Sequence, residues 1–249
     1  MVSGKYSALA GAIAREQSIA NISNNLANVN TSGYRRSTVS FESFLRGARQ
    51  ISTTKGINYS RVSRNVSDFE QGAMRQTDNP YNFAIDGPGF FKIAGPQGPL
   101  YTRRGDFAVD QEGVLRTSSG MAVLDDANSP ITIPDTDRDR LIIENDGTIA
   151  TVSPEGTSSE VGTLGIVEVS DRTLLKRADN TSFSLEPGGV ETPLENPSIS
   201  QGFLELSNVN MTDEMTRMIT SMRTFETYHK VLESYSTINQ QQDELGTLG

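Results

Sequence analysis

The feature that most restricts this chain is the position of its two regular apolar periodicities, one at each end and none in the middle. In the C-terminal stretch, Met211, Met215, Met218, Met222, Phe225, His229 and Leu232 step by alternating four and three residues. That step marks a helix with an apolar, coiled-coil-like seam. A second line, Tyr228, Tyr235, Ile238, Gln242 and Leu245, continues on a neighbouring face. Asn210 is placed to cap this helix, and Asp213 and Glu214 occupy the first turn, where the helix dipole favours negative charge. Gly246 is the expected stop. At the other end a helix is predicted over residues 3–28. Tyr6, Leu9 and Ile13 form one stripe, and Ile19, Ile22, Leu26 and Val29 form another, offset around residues 15–17. Alanines at 8, 10, 12, 14 and 20 favour helix and let a neighbouring helix approach closely.

Between these helices the pattern is that of strands. Short β-like runs fall at 83–85, 90–93, 100–103, 107–109, 114–116, 121–124 and 131–133. Turn pairs such as Asp86-Gly87, Glu112-Gly113 and Ser119-Gly120 separate them. Residues 141–143 and 148–152 read as a hairpin around Asp146-Gly147, a pair suited to a type I′ turn. Further strands are predicted at 165–169, 182–185 and 202–206. Residues 34–80 are rich in Ser, Thr, Arg and Asn, with strands expected only near 58–66. The expected class is therefore α+β: N- and C-terminal helices forming a coiled-coil-like layer, with an all-β central domain. The expected divisions are 1–33 and 207–249 for the helices, 34–80 for a connecting arm and 81–206 for the β domain.

Charge is uneven along the 249 residues. The net charge is −9, yet residues 1–75 carry ten Lys/Arg against four Asp/Glu, leaving the remainder strongly acidic. The acidic total argues against nucleic-acid binding, and a basic arm facing an acidic body is one way for copies to attract each other. Cysteine is absent, so there is no disulfide framework, thiolate metal site or cysteine nucleophile. No apolar run approaches the roughly 18–20 residues of a membrane span, and no membrane insertion is expected. The N-terminus lacks a cleavable secretory pattern: Lys5 stands alone, and Arg15, Glu16 and Gln17 break the stretch after it.

Catalytic templates fit poorly. The single histidine, His229, lies on the helical seam, where packing or interface is its expected role. Asp135, Asp137 and Asp139 begin like a calcium loop, but Arg140 stands where glycine is needed and Asp146 where glutamate is needed. A solvated acidic turn is expected there. Gly87-Pro88-Gly89-Phe90-Phe91 lacks both the phosphate-loop lysine and dinucleotide spacing, and reads as a turn before a buried strand. The basic pairs Arg35-Arg36 and Arg103-Arg104 have no interleaved aromatics, and are expected as surface or interface charges. No catalytic residue, cofactor or metal is expected. Two rival readings are a secreted β-rich adhesin with a helical stalk and a carbohydrate-active enzyme with paired carboxylates.

Three stretches carry a family resemblance. Asn24-Asn25-Leu26-Ala27-Asn28-Val29-Asn30-Thr31-Ser32-Gly33-Tyr34-Arg35 resembles the N-terminal signature of the flagellar rod and hook family. Phe83-Ala84-Ile85-Asp86-Gly87-Pro88-Gly89-Phe90-Phe91, followed by Tyr101-Thr102-Arg103-Arg104-Gly105-Asp106-Phe107, is similar to its central signature. Gly202-Phe203-Leu204-Glu205-Leu206-Ser207-Asn208-Val209-Asn210 resembles the approach to its C-terminal helix. The resemblance implies a structural rod subunit of the flagellar basal body in the periplasm, exported by the flagellar apparatus and polymerising with itself and with other rod and hook-family proteins. Gly202-Phe203-Leu204-Glu205, Phe225-Glu226 and the polar stretch 239–244 are closer to proximal than to distal rod members, whereas the full Asn24-Asn25-Leu26-Ala27-Asn28-Val29-Asn30 match is equally at home in distal ones, which stay the alternative. The residues expected at the inner subunit interface are Leu9, Ile13, Ile22, Leu26, Met215, Met218, Met222, Phe225 and Leu232.

Overall fold

The computed structural model describes residues 2–46, 57–134, 141–152 and 158–247. A helix, α1 (Val2–Ala27), is followed by an antiparallel hairpin, β1 (Ser37–Arg46) and β2 (Ile57–Ser67). Short strands come next: β3 (Met74–Gln76), β4 (Phe83–Ile85), β5 (Phe90–Gly95), β6 (Gly98–Thr102), β7 (Phe107–Val109), β8 (Leu115–Thr117), β9 (Leu141–Ile143), β10 (Thr148–Val152) and β11 (Ser158–Thr163). The series ends with β12 (Ile166–Val169), β13 (Leu175–Arg177), β14 (Ser182–Leu185), β15 (Glu191–Pro193), β16 (Ile199–Gln201), β17 (Phe203–Glu205) and the long helix α2 (Met211–Thr247). The chain is thus β-rich with a helix at each end. It divides into two compact units: a helical unit of residues 1–27, 37–68 and 210–249, and a β unit of residues 28–36 and 69–209.

In the helical unit α1 and α2 run antiparallel. Gly4 lies against Tyr235, Gly11 against Tyr228, and Asn25 against Glu214. The inward line of α1 is Gly4, Ala8, Gly11, Arg15, Ser18, Ile22 and Asn25, all buried or half-buried. The facing line of α2 is Glu214, Met218, Ser221, Phe225, Tyr228, Leu232 and Tyr235. Both step by four and three. Small residues on α1 make room for the tyrosines of α2: a Cβ added at Gly11 would stand 2.5 Å from the Tyr228 ring, and one at Gly4 would stand 2.5 Å from the Tyr235 hydroxyl oxygen. Asn210 caps α2, its Oδ1 accepting from the Thr212 and Asp213 N–H groups at 3.0 and 3.3 Å. Gly246 does not stop the helix, which runs to Thr247. Along α2 six hydroxyls (Thr216, Thr220, Thr224, Thr227, Ser234 and Thr237) donate to the carbonyl four residues earlier. Strands β1 and β2 lie against α1.

The β unit is built on a six-stranded antiparallel sheet in the order β13-β14-β6-β5-β12-β15. Strand β5 is buried on both faces because side chains alternate. Phe91 and Ile93 enter the larger core with Phe83, Phe107, Leu115 and Ile149. Phe90 enters a smaller core with Tyr101, Val167 and Phe183. Rings meet edge to face, with Phe91 and Phe107 at 5.3 Å, a favoured arrangement. The turn before β5 forms as expected, with Gly87 and Gly89 at φ of 98° and 116°, a region only glycine enters freely.

The hairpin β9–β10 forms as expected, but not with a type I′ turn. Gly147 alone has a positive φ, 92°, and its N–H donates to the Glu144 carbonyl at 3.0 Å. Asp146 keeps a negative φ and instead accepts the Thr148 N–H at 3.0 Å. That is a type I turn followed by a left-handed glycine. Strands β3, β11, β13, β15 and β16 were not legible in the sequence pattern. Each is short and polar or half-exposed, so none shows an alternating apolar face. The aspartates at 135, 137 and 139 fall outside the described residues.

Candidate functional site

Within the helical unit, Asn25 bridges Ser37 and Glu214. Its Nδ2 donates to the Ser37 carbonyl at 2.8 Å and to Glu214 Oε2 at 3.2 Å, while its Oδ1 accepts the Ser37 N–H at 2.9 Å. One buried amide thereby pins the start of β1 and the first turn of α2 onto α1. Ser18, Asn21, Arg217 and Ser221 extend this polar patch around a cavity of about 220 Å³.

The β unit contains a second buried polar cluster, and it corrects the expectation that the arginine pairs lie at the surface. Arg35 and Arg103 are only 1% and 5% exposed. Both converge on Glu205: Arg35 Nη1 lies 2.6 Å from Oε1 and Arg103 Nη1 lies 3.3 Å from Oε2. The Gly72 N–H donates to Glu205 Oε1 at 2.8 Å, and the Gly33 N–H donates to the Glu205 carbonyl at 2.8 Å. Arg35 also donates to the Glu70 carbonyl, and Arg103 donates to the carbonyls of Ile85 and Gly87. The physical reason is that Glu205 offsets the charge and that a guanidinium's fixed fork of donors reaches a carboxylate and backbone carbonyls at once. Burial pushes the Arg103 pKa down to about 10; Glu205 partly offsets this, and Arg35 adds to it. Of the four paired arginines, Arg104 is half-buried and binds Asp106 at 2.5 and 2.7 Å. The Arg36 N–H donates to Asn208 Oδ1 at 2.7 Å. Residues of the N-terminal, central and C-terminal signatures thus meet at one carboxylate.

A third network joins Lys92, Tyr101 and Glu191. Lys92 Nζ lies 3.1 Å from Glu191 Oε1, and the Tyr101 hydroxyl donates to Oε2 at 2.5 Å. Burial and Glu191 together raise the Tyr101 pKa well above the ordinary tyrosine value. Nothing in the sequence singled out Glu191, since β15 carries no pattern. Beside Tyr101 opens a groove of about 700 Å³ lined by Pro96, Pro99, Leu185 and Pro187. Its two carboxylates are engaged structurally: Asp179 accepts the Thr181 and Ser182 N–H groups, and Glu186 faces Lys176. Among the described residues no group of three or more His, Asp or Glu is arranged to hold a metal. Among the described residues, no helix is long and apolar enough to cross a membrane.

The residues expected at the subunit interface fall into two sets. Leu9, Ile13, Met215 and Met222 are exposed by 43%, 46%, 49% and 42%. Ile22 is buried, and Leu26, Met218, Phe225 and Leu232 are half-buried. Exposed alongside the first set are Tyr6, Met211, Ile219, Val231 and Ile238. His229 is exposed, with Phe225 packed edge-on against its ring at 5.5 Å. Among the described residues of the helical unit the buried apolar side chains are Ala8, Ala12, Ala14 and Ile22.

Comparison with known proteins agrees with this layout. Three family models match in order: "Flagella basal body rod protein" over residues 6–35, "Flagellar hook protein FlgE/F/G D1 domain" over 84–168, and "Flagellar basal body rod FlgEFG protein C-terminal" over 200–245. The chain is 31% identical to the flagellar basal-body rod protein FlgG of Bacillus subtilis, over 97% of this chain and 98% of that protein. It is 30% identical to the rod protein FlgF of Caulobacter vibrioides, over 88% and 87% of the two chains. With FlgF of Mesorhizobium japonicum the identity is 30%, over 98% and 97%. FlgF and FlgG relatives match equally well, so the two branches are not separated. Spanned nearly end to end by such relatives, this chain is a structural subunit belonging to the flagellar basal-body rod protein family.

Proposed function

We propose that this chain polymerises into the flagellar rod through its terminal helices, which pack against other copies as a coiled-coil-like inner layer while the β unit faces outward. One observation carries the reading. The helices of this unit leave Tyr6, Leu9, Ile13, Met211, Met215, Ile219 and Met222 in solvent, while among the unit's described side chains the buried apolar ones are Ala8, Ala12, Ala14 and Ile22. Exposed apolar helix surface on that scale marks an association site. The inner interface is proposed on Leu9, Ile13, Met215 and Met222, with Ile22, Leu26, Met218, Phe225 and Leu232 supporting it from within the helix pair. Torque then passes between copies through dry helical seams. The partners are other copies and other rod and hook-family proteins, reached in the periplasm after passage through the flagellar export apparatus. Within the rod, the proximal position is supported by Gly202-Phe203-Leu204-Glu205, Phe225-Glu226 and the polar stretch 239–244.

The test is a strain lacking this chain, complemented with Met222→Asp/Phe225→Asp. Charge placed in a seam that must dehydrate abolishes swimming, while the purified variant keeps the unfolding transition of the β unit. Normal swimming by the double variant contradicts the placement.

A further inference from the structure

The outward stripes of the two helices lie at different ends of the helical unit. Partners across the antiparallel pair have residue numbers that sum to 239, as Gly4 with Tyr235, Gly11 with Tyr228 and Asn25 with Glu214 show. Tyr6, Leu9 and Ile13 therefore stand level with the later part of α2, near residue 230. Met211, Met215, Ile219 and Met222 stand level with the last turns of α1, near residue 22. At 1.5 Å per residue the stripe centres are about 20 Å apart along the pair. They also face differently. At about 100° per residue, Leu9 and Ile13 point away from the inward line of α1, and Met215 sits roughly a quarter turn from the inward line of α2. Neither stripe can cover the other within one molecule.

We propose that the methionine stripe of one copy seats on the Tyr6, Leu9 and Ile13 stripe of the next, a head-to-tail contact that repeats with an axial offset of about 20 Å. This rests on the rod-subunit reading and names the two surfaces that meet. A contact of stripe with like stripe closes as a dimer and leaves the other stripe wet. A head-to-tail contact covers both with a single interface and leaves one of each free at the ends, the condition for an open helical assembly. Methionines are suited to this, because unbranched thioether chains fill irregular gaps around stiffer Tyr, Leu and Ile side chains. With the helix pairs of successive copies aligned, Leu9 falls between Met215 and Ile219 of its neighbour. Area sets the strength. Seven side chains are 42–56% exposed, and at roughly 200 Å² for a large side chain one contact covers on the order of 600–700 Å². That is about half of what a stable pair needs. Two free copies separate again, and the contact holds only where neighbours on several sides add to it.

The absence of native cysteine makes the test direct. Leu9→Cys, Ile219→Cys and the double variant are expressed in a strain lacking the chain, and isolated basal bodies are oxidised. The double variant gives disulfide-linked dimers and higher species. Each single variant gives none, and the two single variants expressed together give dimers only. Should this pair of substitutions prevent assembly, Ile13→Cys with Met215→Cys is the second probe. Dimers from either single variant show a like-with-like contact and overturn the proposal. So does a swimming strain whose assembled double variants cross-link only to another rod protein or not at all. Unimpaired swimming without the chain overturns the rod-subunit reading itself, an outcome visible before any oxidation.

Discussion

At Glu205 a single carboxylate answers two buried guanidiniums, so the side chains there depend on one another more than on solvent. Glu205→Gln leaves Arg35 and Arg103 facing each other without compensation. Loss of one member of a buried ion cluster costs about 3–5 kcal/mol. Urea unfolding of the β unit should shift by that much. The triple variant Arg35→Met/Arg103→Met/Glu205→Leu should recover most of it, since well-packed apolar groups replace a buried cluster at little cost. Tyr101 gives a pH-dependent counterpart. The folded chain holds its proton more tightly than the unfolded chain does. The stabilisation is therefore fully present below the ordinary tyrosine value of 10.0 and declines as pH rises above it. Absorbance titration should show one of the seven tyrosines ionising last, and Tyr101→Phe should remove that late step. Gly11 tests packing: alanine favours helix by about 1 kcal/mol, yet its Cβ would meet the Tyr228 ring at 2.5 Å. Gly11→Ala should lower the melting temperature of the helical unit, and should raise it when Tyr228 is also Ala.

The helices, the Asn210 cap and most strands of the large core were legible, because each carries its own periodicity or punctuation. The frame of α2 was not. The four–three line beginning at Met211 is the outward flank over its first turns, and the line facing α1 begins at Glu214. Two adjacent apolar lines share Met218, Phe225 and Leu232, and nothing in one helix's sequence says which line meets a partner made of Gly, Ala and Ser. Strand β1 was missed as well; the two bonds that hold Ser37 at its start come from Asn25 on α1. The buried arginines were misplaced because burial of a charge is decided by Glu205, a hundred residues from Arg103. Asn25→Ala should free the Ser37 N–H, and hydrogen exchange at that amide should rise well above that of neighbouring β1 amides.

For the molecule as a whole, the described residues of the two units bury different kinds of apolar side chain. The β unit has two clusters of buried side chains, whereas among the described side chains of the helical unit the buried apolar ones are Ala8, Ala12, Ala14 and Ile22. In the free chain, amides of α1 and α2 should exchange orders of magnitude faster than those of β5 and β6, and limited proteolysis should remove both ends first. The hydroxyls of Thr216, Thr220 and Thr224 bear on what happens when those helices meet neighbours. Each already donates to a carbonyl of its own helix. Stripping water from them leaves no hydrogen atom without an acceptor, so a surface that counts as hydrophilic by composition can go dry almost as readily as one lined with alanine.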